Sequence, residues 1–347
     1  MRVLLTGHRG YIGTRLAPML LERGHSVTGL DADFYQACTF GPEPEPLSGI
    51  ACDVRDVSEE MLEGYEAVIH LAGLSNDPLG DYDADLTREI NEDASVRLAM
   101  LAKRAGVSRY LFASSCSNYG AASDDFLDER AAFNPVTSYG HSKAAVERAV
   151  LPLADEVFSP TFLRASTAYG NSPRIRFDLV LNNLTAWAFT TGEVYLKSDG
   201  SPWRPLVHVD DIALAYIAVL EAPKELVHGR SFNIGSTSEN YRVRELAEIV
   251  RDVVPGSRIT FAADAGPDRR NYRVDCSLIC RTLHDYKPQW TARRGALQLY
   301  QAFCEQGLRL EDFEGPRYKR ISHIRQLIDE GKLDERLRRT DQRRAAG

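Results

Sequence analysis

The first thirteen residues constrain this chain more than any other stretch. Val3–Leu5 is an apolar strand that runs directly into Gly7-x-x-Gly10-x-x-Gly13, and an amphipathic helix from about Ile12 to Arg23 follows. Small residues at that spacing let backbone approach a pyrophosphate. The helix N-terminus behind them offers unpaired N–H groups and the positive end of a dipole. A glycine triplet alone is weak, but the strand before it and the helix after it are the context the pattern requires. Such a unit needs neighbours: its strand needs parallel partners, and its helix must cover a sheet face. The sequence provides them. Ser26–Leu30, Ala67–Leu71, Tyr110–Ala113 and Ser159–Leu163 read as short apolar strands, with helices over about Thr87–Ala105 and Tyr139–Leu153 between them. The alternation predicts an α/β fold around a doubly wound parallel sheet.

Asp31 closes the second strand, 24 positions after Gly7. A carboxylate there accepts hydrogen bonds from adenosine ribose hydroxyls and repels a 2′-phosphate, which favours NAD over NADP. His8 and Arg9 are adjacent cations that can assist an NADP phosphate, so they pull the other way. Asp53 and Val54 follow a third strand. Asp53 can receive the adenine amino group with Val54 against the ring, or it can simply cap the next turn.

The strand–helix alternation loosens after about Arg164. Pro173, Pro202 and Pro205 interrupt polar loops, and helices are predicted over Phe177–Phe189, Asp211–Leu220 and Tyr241–Val254. Ser231–Ile234 reads as a strand returning to the main sheet. We therefore expect a Rossmann-type NAD-binding domain over 1–165, with 206–236 returning to it. A smaller α/β substrate-binding domain takes 166–205 and 237–320. From about Arg320 the chain is highly charged, and 321–347 is expected as a surface helix with a frayed end. The whole chain has 347 residues, a formal net charge of −7 and interspersed charges. That gives no support for a nucleic-acid or membrane surface. Its six cysteines lack a C-x-x-C pair and read as free thiols in a reducing compartment, with no metal site. No apolar run reaches membrane-spanning length. The first strand begins at once, so no signal peptide is expected and the setting is cytoplasmic.

Tyr139-Gly-His-Ser-Lys143 carries the chemistry. Positions i and i+4 share a helix face, so the Lys143 ammonium can sit near the Tyr139 phenol and favour its phenolate. That phenolate can trade a proton with a sugar or alcohol hydroxyl while a hydride moves.

Taken together, the motifs resemble the extended short-chain dehydrogenase/reductases, and within them the nucleotide-sugar epimerase/dehydratase family. The residues that carry this are Thr6-Gly-x-x-Gly-Tyr-Ile-Gly13, Asp31, Asp53-Val54, His70-Leu-Ala-Gly73, Asn91, Ser114-Ser-Cys-Ser-Asn-Tyr-Gly120, Tyr139/Lys143 and Arg204-Pro-Leu-Val-His-Val-Asp-Asp211. They span about the first two thirds of the chain. The resemblance implies bound NAD held by Gly7, Gly10, Tyr11, Ile12, Gly13, Asp31, Asp53, Val54, Leu71, Ala72, Gly73, Asn91, Tyr139 and Lys143. It implies Ser115 as the hydroxyl on the reacting sugar oxygen, Tyr139 as acid/base, and Lys143 on the nicotinamide ribose. On the substrate side it implies Asn183, Leu184 and Tyr195 at the nucleotide. Arg204 is the expected pyrophosphate anchor through bidentate bonds, and Arg164 and Arg174 are further candidates. In the family an Arg often precedes a Gly-Asp near the segment Ala265–Asp275. Here Ala265 takes that place, and Arg269, Arg270 or Arg273 can substitute. Asn118 stands where Val is common.

The residues after Ser115 bear on the reaction. The family's 4,6-dehydratases carry Asp-Glu there; this chain has Cys116-Ser117. An NAD-dependent C4 epimerase of a nucleotide-diphosphate sugar fits the set. An NDP-ketosugar reductase is the alternative, as is an unusual dehydratase that uses Cys116 as acid or base. A non-catalytic NAD-sensing protein is the remote one. The resemblance also implies a homodimer through helices that include Asn91–Ala105 and Tyr139–Leu153.

Overall fold

The computed structural model describes residues 1–75, 83–266 and 271–340. Seven strands form its main sheet: β1 (Arg2–Thr6), β2 (Ser26–Asp31), β3 (Gly49–Ala51), β4 (Ala67–His70), β5 (Arg109–Ser115), β7 (Ser159–Ala165) and β11 (Arg230–Ile234). Their order is β11-β7-β5-β4-β1-β2-β3, and every pair is parallel. From β1 the chain fills one side of the sheet with β2 and β3, then reverses to fill the other from β4. The crevice where the order reverses lies at the carboxyl ends of β1 and β4.

Alternation along each strand sends side chains to opposite faces. Leu4, Val68, Tyr110 and Phe162 face one side, where they meet Leu98 and Ala102 of helix Ala94–Arg104 and Val146 and Val150 of helix Ser138–Val150. Val3, Leu5, Ile69, Leu111 and Phe232 face the other side, with Leu16 and Leu20 of helix Gly13–Glu22 and Ile212, Tyr216 and Val219 of helix Val209–Glu221. Burial on both faces explains why the strands read as unbroken apolar runs.

A second group of elements stands over the carboxyl edge. β8 (Thr167–Tyr169) pairs with β10 (Trp203–His208), which pairs with β12 (Asn240–Arg242). β9 (Glu193–Ser198) pairs with β13 (Arg258–Gly266), and β6 (Ala121–Leu127) with β14 (Asn271–Val274). Helices Val180–Thr191, Val243–Val253 and Ala292–Gln306 enclose a further apolar cluster around Leu184, Leu206 and Leu246. The loop after β2 is pinned into this group. Phe40 meets Phe177, Phe303 and Tyr318 edge-on, with centroids 5.8–6.1 Å apart.

Four local differences from the sequence expectation have physical causes. The helix expected as continuous over Thr87–Ala105 is Ala84–Arg88, a π turn over Glu89–Asp93, then Ala94–Arg104. The helix expected from Tyr241 starts at Val243, because Asn240–Arg242 pairs with Trp203–Pro205 as a strand. The helix expected over Phe177–Phe189 is Val180–Thr191, because Phe177 packs among the aromatic rings around Phe40. The charged end has the expected helix, more tightly held than a surface one, and the expected frayed end at 341–347 lies outside the described residues. Helix Arg320–Asp329 buries His323 and Ile324, and Leu333 and Leu337 are buried in the main core.

Candidate active site

Gly7, Gly10 and Gly13 bring β1 onto helix Gly13–Glu22. Gly7 has φ +73°, and a Cβ on it would lie 2.7 Å from the Ala72 nitrogen. One on Gly13 would lie 2.6 Å from His8 Cα. Only glycine fits, and the bare turn leaves a cleft between the ends of β1, β2 and β4. That cleft is lined by Gly7, Gly10, Tyr11, Ile12, Gly13, Asp31, Asp53, Val54, Leu71, Ala72 and Gly73, all residues expected at the cofactor.

At the adenosine end, the Asp31 carboxylate accepts from the backbone N–H groups of Arg9 (2.9 Å) and Asp33 (2.8 Å). Burial raises its pKa, and those two bonds oppose the shift. Asp33, which also lines the cleft, pairs with Arg9 through one oxygen, while its buried Oδ1 has no partner. An orphaned acceptor beside Asp31 suits ribose hydroxyls and rejects a phosphate. His8 is not the exposed cation anticipated for a 2′-phosphate. Its ring is buried against Gly29 and Gly49, and burial lowers its pKa. Asp53 has the capping role considered for it. It lines the cleft, and it caps the turn Val54–Asp56 through the Arg55 N–H (2.9 Å). Its two oxygens also hold the Arg55 guanidinium at 3.0 and 2.7 Å.

Asn91 is absent from the cleft lining. From the π turn it clamps the Leu74 backbone, accepting from its N–H at 2.7 Å and donating to its carbonyl at 2.9 Å. It therefore shapes the Gly73–Leu74 bend rather than touching a ligand directly. His70 braces the same bend. The Ser95 hydroxyl donates to the Asn91 carbonyl (2.7 Å), so His70 Nε2 donates to Ser95 (2.8 Å) and Nδ1 accepts from Thr6 (2.7 Å). Burial pushes the His70 pKa down to about 3.

The cleft opens through Ile12, Leu71, Gly73, Leu74 and Ala168 into a cavity of about 620 Å³. Ser115, Tyr139, Lys143 and Arg204 all line it. Thr137 caps the helix that carries Tyr139 and Lys143. The Lys143 ammonium sits 4.6 Å from the Phe112 ring centroid and 5.6 Å from that of Tyr139. Burial pushes its pKa down to about 8. Ser115 Oγ accepts from the Ser117 N–H (3.1 Å) and donates to the Ser117 hydroxyl (3.0 Å).

Cys116 does not line the cavity. Its fully buried thiol donates to the Arg164 carbonyl (3.2 Å), and burial pushes it up to about 12. A thiol so placed is neither acid nor base for a ligand in the cavity. Arg164 is likewise no phosphate anchor: its guanidinium is buried in an ion pair with Glu147 at 2.6 Å. That pair explains Asn118, whose Nδ2 donates to Glu147 Oε1 at 3.1 Å and to the Ser114 hydroxyl at 3.1 Å. Arg174 is buried away from the cavity and donates to the Thr39 hydroxyl. Of the residues expected at the nucleotide, Asn183 donates to the Phe177 carbonyl (2.8 Å), Leu184 is in the core, and Tyr195 packs on Trp187 at 5.3 Å. None of the three lines the cavity. Arg269 and Arg270 lie outside the described residues, and Arg273 stacks on Phe126 (3.9 Å).

Residues that sequence reasoning did not single out take their place. Leu179 and Val180 line the cavity one turn before Asn183, and Thr137, Ser117 and Tyr272 line it too. Arg176 lines both the cleft and the cavity and pairs with Asp178 through two bonds (3.1 and 2.6 Å). In the sequence it is one arginine of a polar loop, with no spacing to mark it.

The sequence profile of the NAD dependent epimerase/dehydratase family matches residues 3–235. The chain belongs to that family. As a member of the NAD-dependent epimerase/dehydratases it is an enzyme whose cofactor is NAD, and the glycine cradle and the Asp31/Asp33 pair fit that dinucleotide. UDP-glucose 4-epimerase of Corynebacterium glutamicum is 31% identical over 272 residues, covering 73% of this chain and 80% of that one. UDP-glucose 4-epimerase of Neisseria gonorrhoeae is 27% identical over 334 residues, covering 87% and 96%. Among solved structures, MoeE5 in complex with UDP-glucuronic acid and NAD is 26% identical with a TM-score of 0.76, covering 89% of this chain and 100% of that one. Among the described residues no helix is long and apolar enough to cross a membrane.

Proposed function

We propose that this enzyme is a nucleotide-sugar 4-epimerase, with a UDP-hexose or its uronate as substrate. The observation that carries the reading is the cavity itself. It places Ser115, Tyr139 and Lys143 where the NAD cleft opens, and Asp178, already paired with Arg176, is the only carboxylate among its described lining residues. A dehydration needs an acid for the leaving hydroxyl, and the acid-base pair that the family's 4,6-dehydratases carry after the catalytic serine is Cys116-Ser117 here.

NAD supplies a hydride acceptor and donor at its nicotinamide. Tyr139, with the Lys143 cation 5.6 Å from its ring, takes the proton from the C4 hydroxyl as C4 is oxidised. Ser115 donates to the same oxygen and holds the resulting ketone. The 4-keto sugar then turns its other face within the cavity. C4 is reduced from that face, and Tyr139 returns the proton. The cavity volume is within the ~300–1,000 Å³ usual for small-molecule sites, which leaves room for the turn. Arg204, buried on β10 with Nη1 on the Trp203 carbonyl (2.8 Å), and Arg176 are the cations for the diphosphate. The UDP preference rests on the relatives, whose names include UDP-glucose 4-epimerase.

We further assign the enzyme to a homodimer and to the cytoplasm. Exposed Met100 and Leu151, one within each of the two expected interface helices, support the first. The free cysteines support the second.

The test is to incubate the purified protein with a panel of UDP-sugars in deuterated water and follow products by NMR. The 4-epimer should form without added cofactor and carry no solvent deuterium at C3 or C5. Net NADH consumption would make it a reductase, and a deoxy product a dehydratase. A ligand-dependent partner without turnover would make it a sensor.

A further inference from the structure

The last described residues pack behind the adenosine side of the cofactor cleft. Leu333 and Leu337 are buried in the same apolar cluster as Leu30, Val54 and Ile90, and those three line the adenosine side of the cleft. Arg320 goes further and lines the cleft itself, its guanidinium 4.3 Å from the Tyr35 ring centroid. Arginines tie this segment to two strand ends that carry the adenosine carboxylates. After β2, Arg339 donates to the carbonyls of Ala32 (2.9 Å) and Asp33 (3.0 Å). After β3, Arg338 pairs with Asp56. Arg55, which already holds Asp53, donates to the carbonyls of Arg336 (2.9 Å) and Leu337 (3.3 Å).

We propose that residues 320–340 form a strap that makes the outer wall of the adenosine half of the NAD site and sets how long NAD stays bound. Arg320 is its contact with the cofactor; Arg338 and Arg339 are its latches. With Arg320 on the cleft wall, the strap has to lift for the adenosine end to leave freely. Lifting exposes Leu333 and Leu337 and breaks charge-assisted bonds, so the open fraction is small and dissociation slows in proportion. The inference rests on NAD as cofactor and stands whichever sugar reaction the enzyme performs.

Two measurements test it. The first is exchange of bound NAD in the holoenzyme against excess isotope-labelled NAD. The Arg338→Ala/Arg339→Ala double variant and Arg320→Ala should each exchange at least about tenfold faster than the parent. Leu246→Ala, a destabilising change in the distant second cluster, should exchange like the parent. The second is hydrogen exchange of the unmutated protein, in which NAD should slow exchange of amides across 320–340. Parent-like exchange in the double variant would overturn the proposal, as would equal acceleration by Leu246→Ala or no NAD-dependent protection of the segment. If the double variant does not fold, the hydrogen-exchange result decides alone.

Discussion

Tyr139 and Lys143 were legible because their relation is local: four residues apart on a helix is contact by geometry. Tyr139→Phe should retain NAD and lose about 10²–10⁴ in turnover, read from bound NAD and initial rate on the same sample. Lys143 has a cost that its position explains. Its folded pKa of about 8 lies below the ordinary 10.5. The unfolded chain therefore binds more protons between those values, and stability from this group rises with pH across that window. At pH 7 the buried ammonium is a penalty of up to about 3 kcal/mol. Lys143→Met should raise the melting temperature of the NAD-free protein at pH 7 while abolishing turnover. Cys116 differs from what its place in the motif suggests: β5 ends at Ser115, and the tight turn Cys116–Tyr119 that follows carries the thiol into the core. Cys116→Ala should keep kcat within about twofold, and the native thiol, held near 12, should resist alkylation at pH 8. A hundredfold loss of rate in that variant would return the thiol to the mechanism.

At the scale of elements, the strands of the main sheet were readable because burial on both faces makes them apolar throughout. β6, with the sequence Ala-Ala-Ser-Asp-Asp-Phe-Leu, has no such pattern. It and β14 are strands because each finds the other across nearly 150 residues of chain, which is tertiary context overriding propensity. The π turn at Glu89–Asp93 was hidden for a similar reason: its purpose is to aim Asn91 at Leu74, a partner that periodicity does not show. The ends of β1 and β4 are joined by the chain Thr6–His70–Ser95, and this predicts an acid weakness. His70 is held neutral down to about pH 3, and His208, stacked on Trp290, down to about 4. The unfolded chain protonates both near 6.5. Stability is therefore complete above that pH and is lost as pH falls through the window, by about 2 kcal/mol for each residue at pH 5. Urea midpoints at pH 7 and 5 should show this drop, and His70→Asn should flatten the slope by about one proton.

Across the whole molecule, the pin at Thr39–Phe40 ties the two groups of elements together. The Phe40 N–H donates to the Pro173 carbonyl (2.9 Å), and the Thr39 carbonyl accepts from Arg317 (2.9 Å) and Tyr318 (3.2 Å). Phe40→Ala should cost about 3–5 kcal/mol. It should also separate the urea transition of the substrate-side elements from that of the main sheet; a single unshifted transition would count against the pin. The wrap of residues 324–337 into the core of β1 and β2 bears on how the protein is made. That core, begun on β1 and β2, is completed only by Ile324, Leu333 and Leu337. At about 5–20 residues per second, the nascent sheet waits many seconds with apolar surface uncovered. A chain cut anywhere short of those residues leaves it so permanently. Folding of the cofactor site is thereby tied to synthesis having passed Leu337.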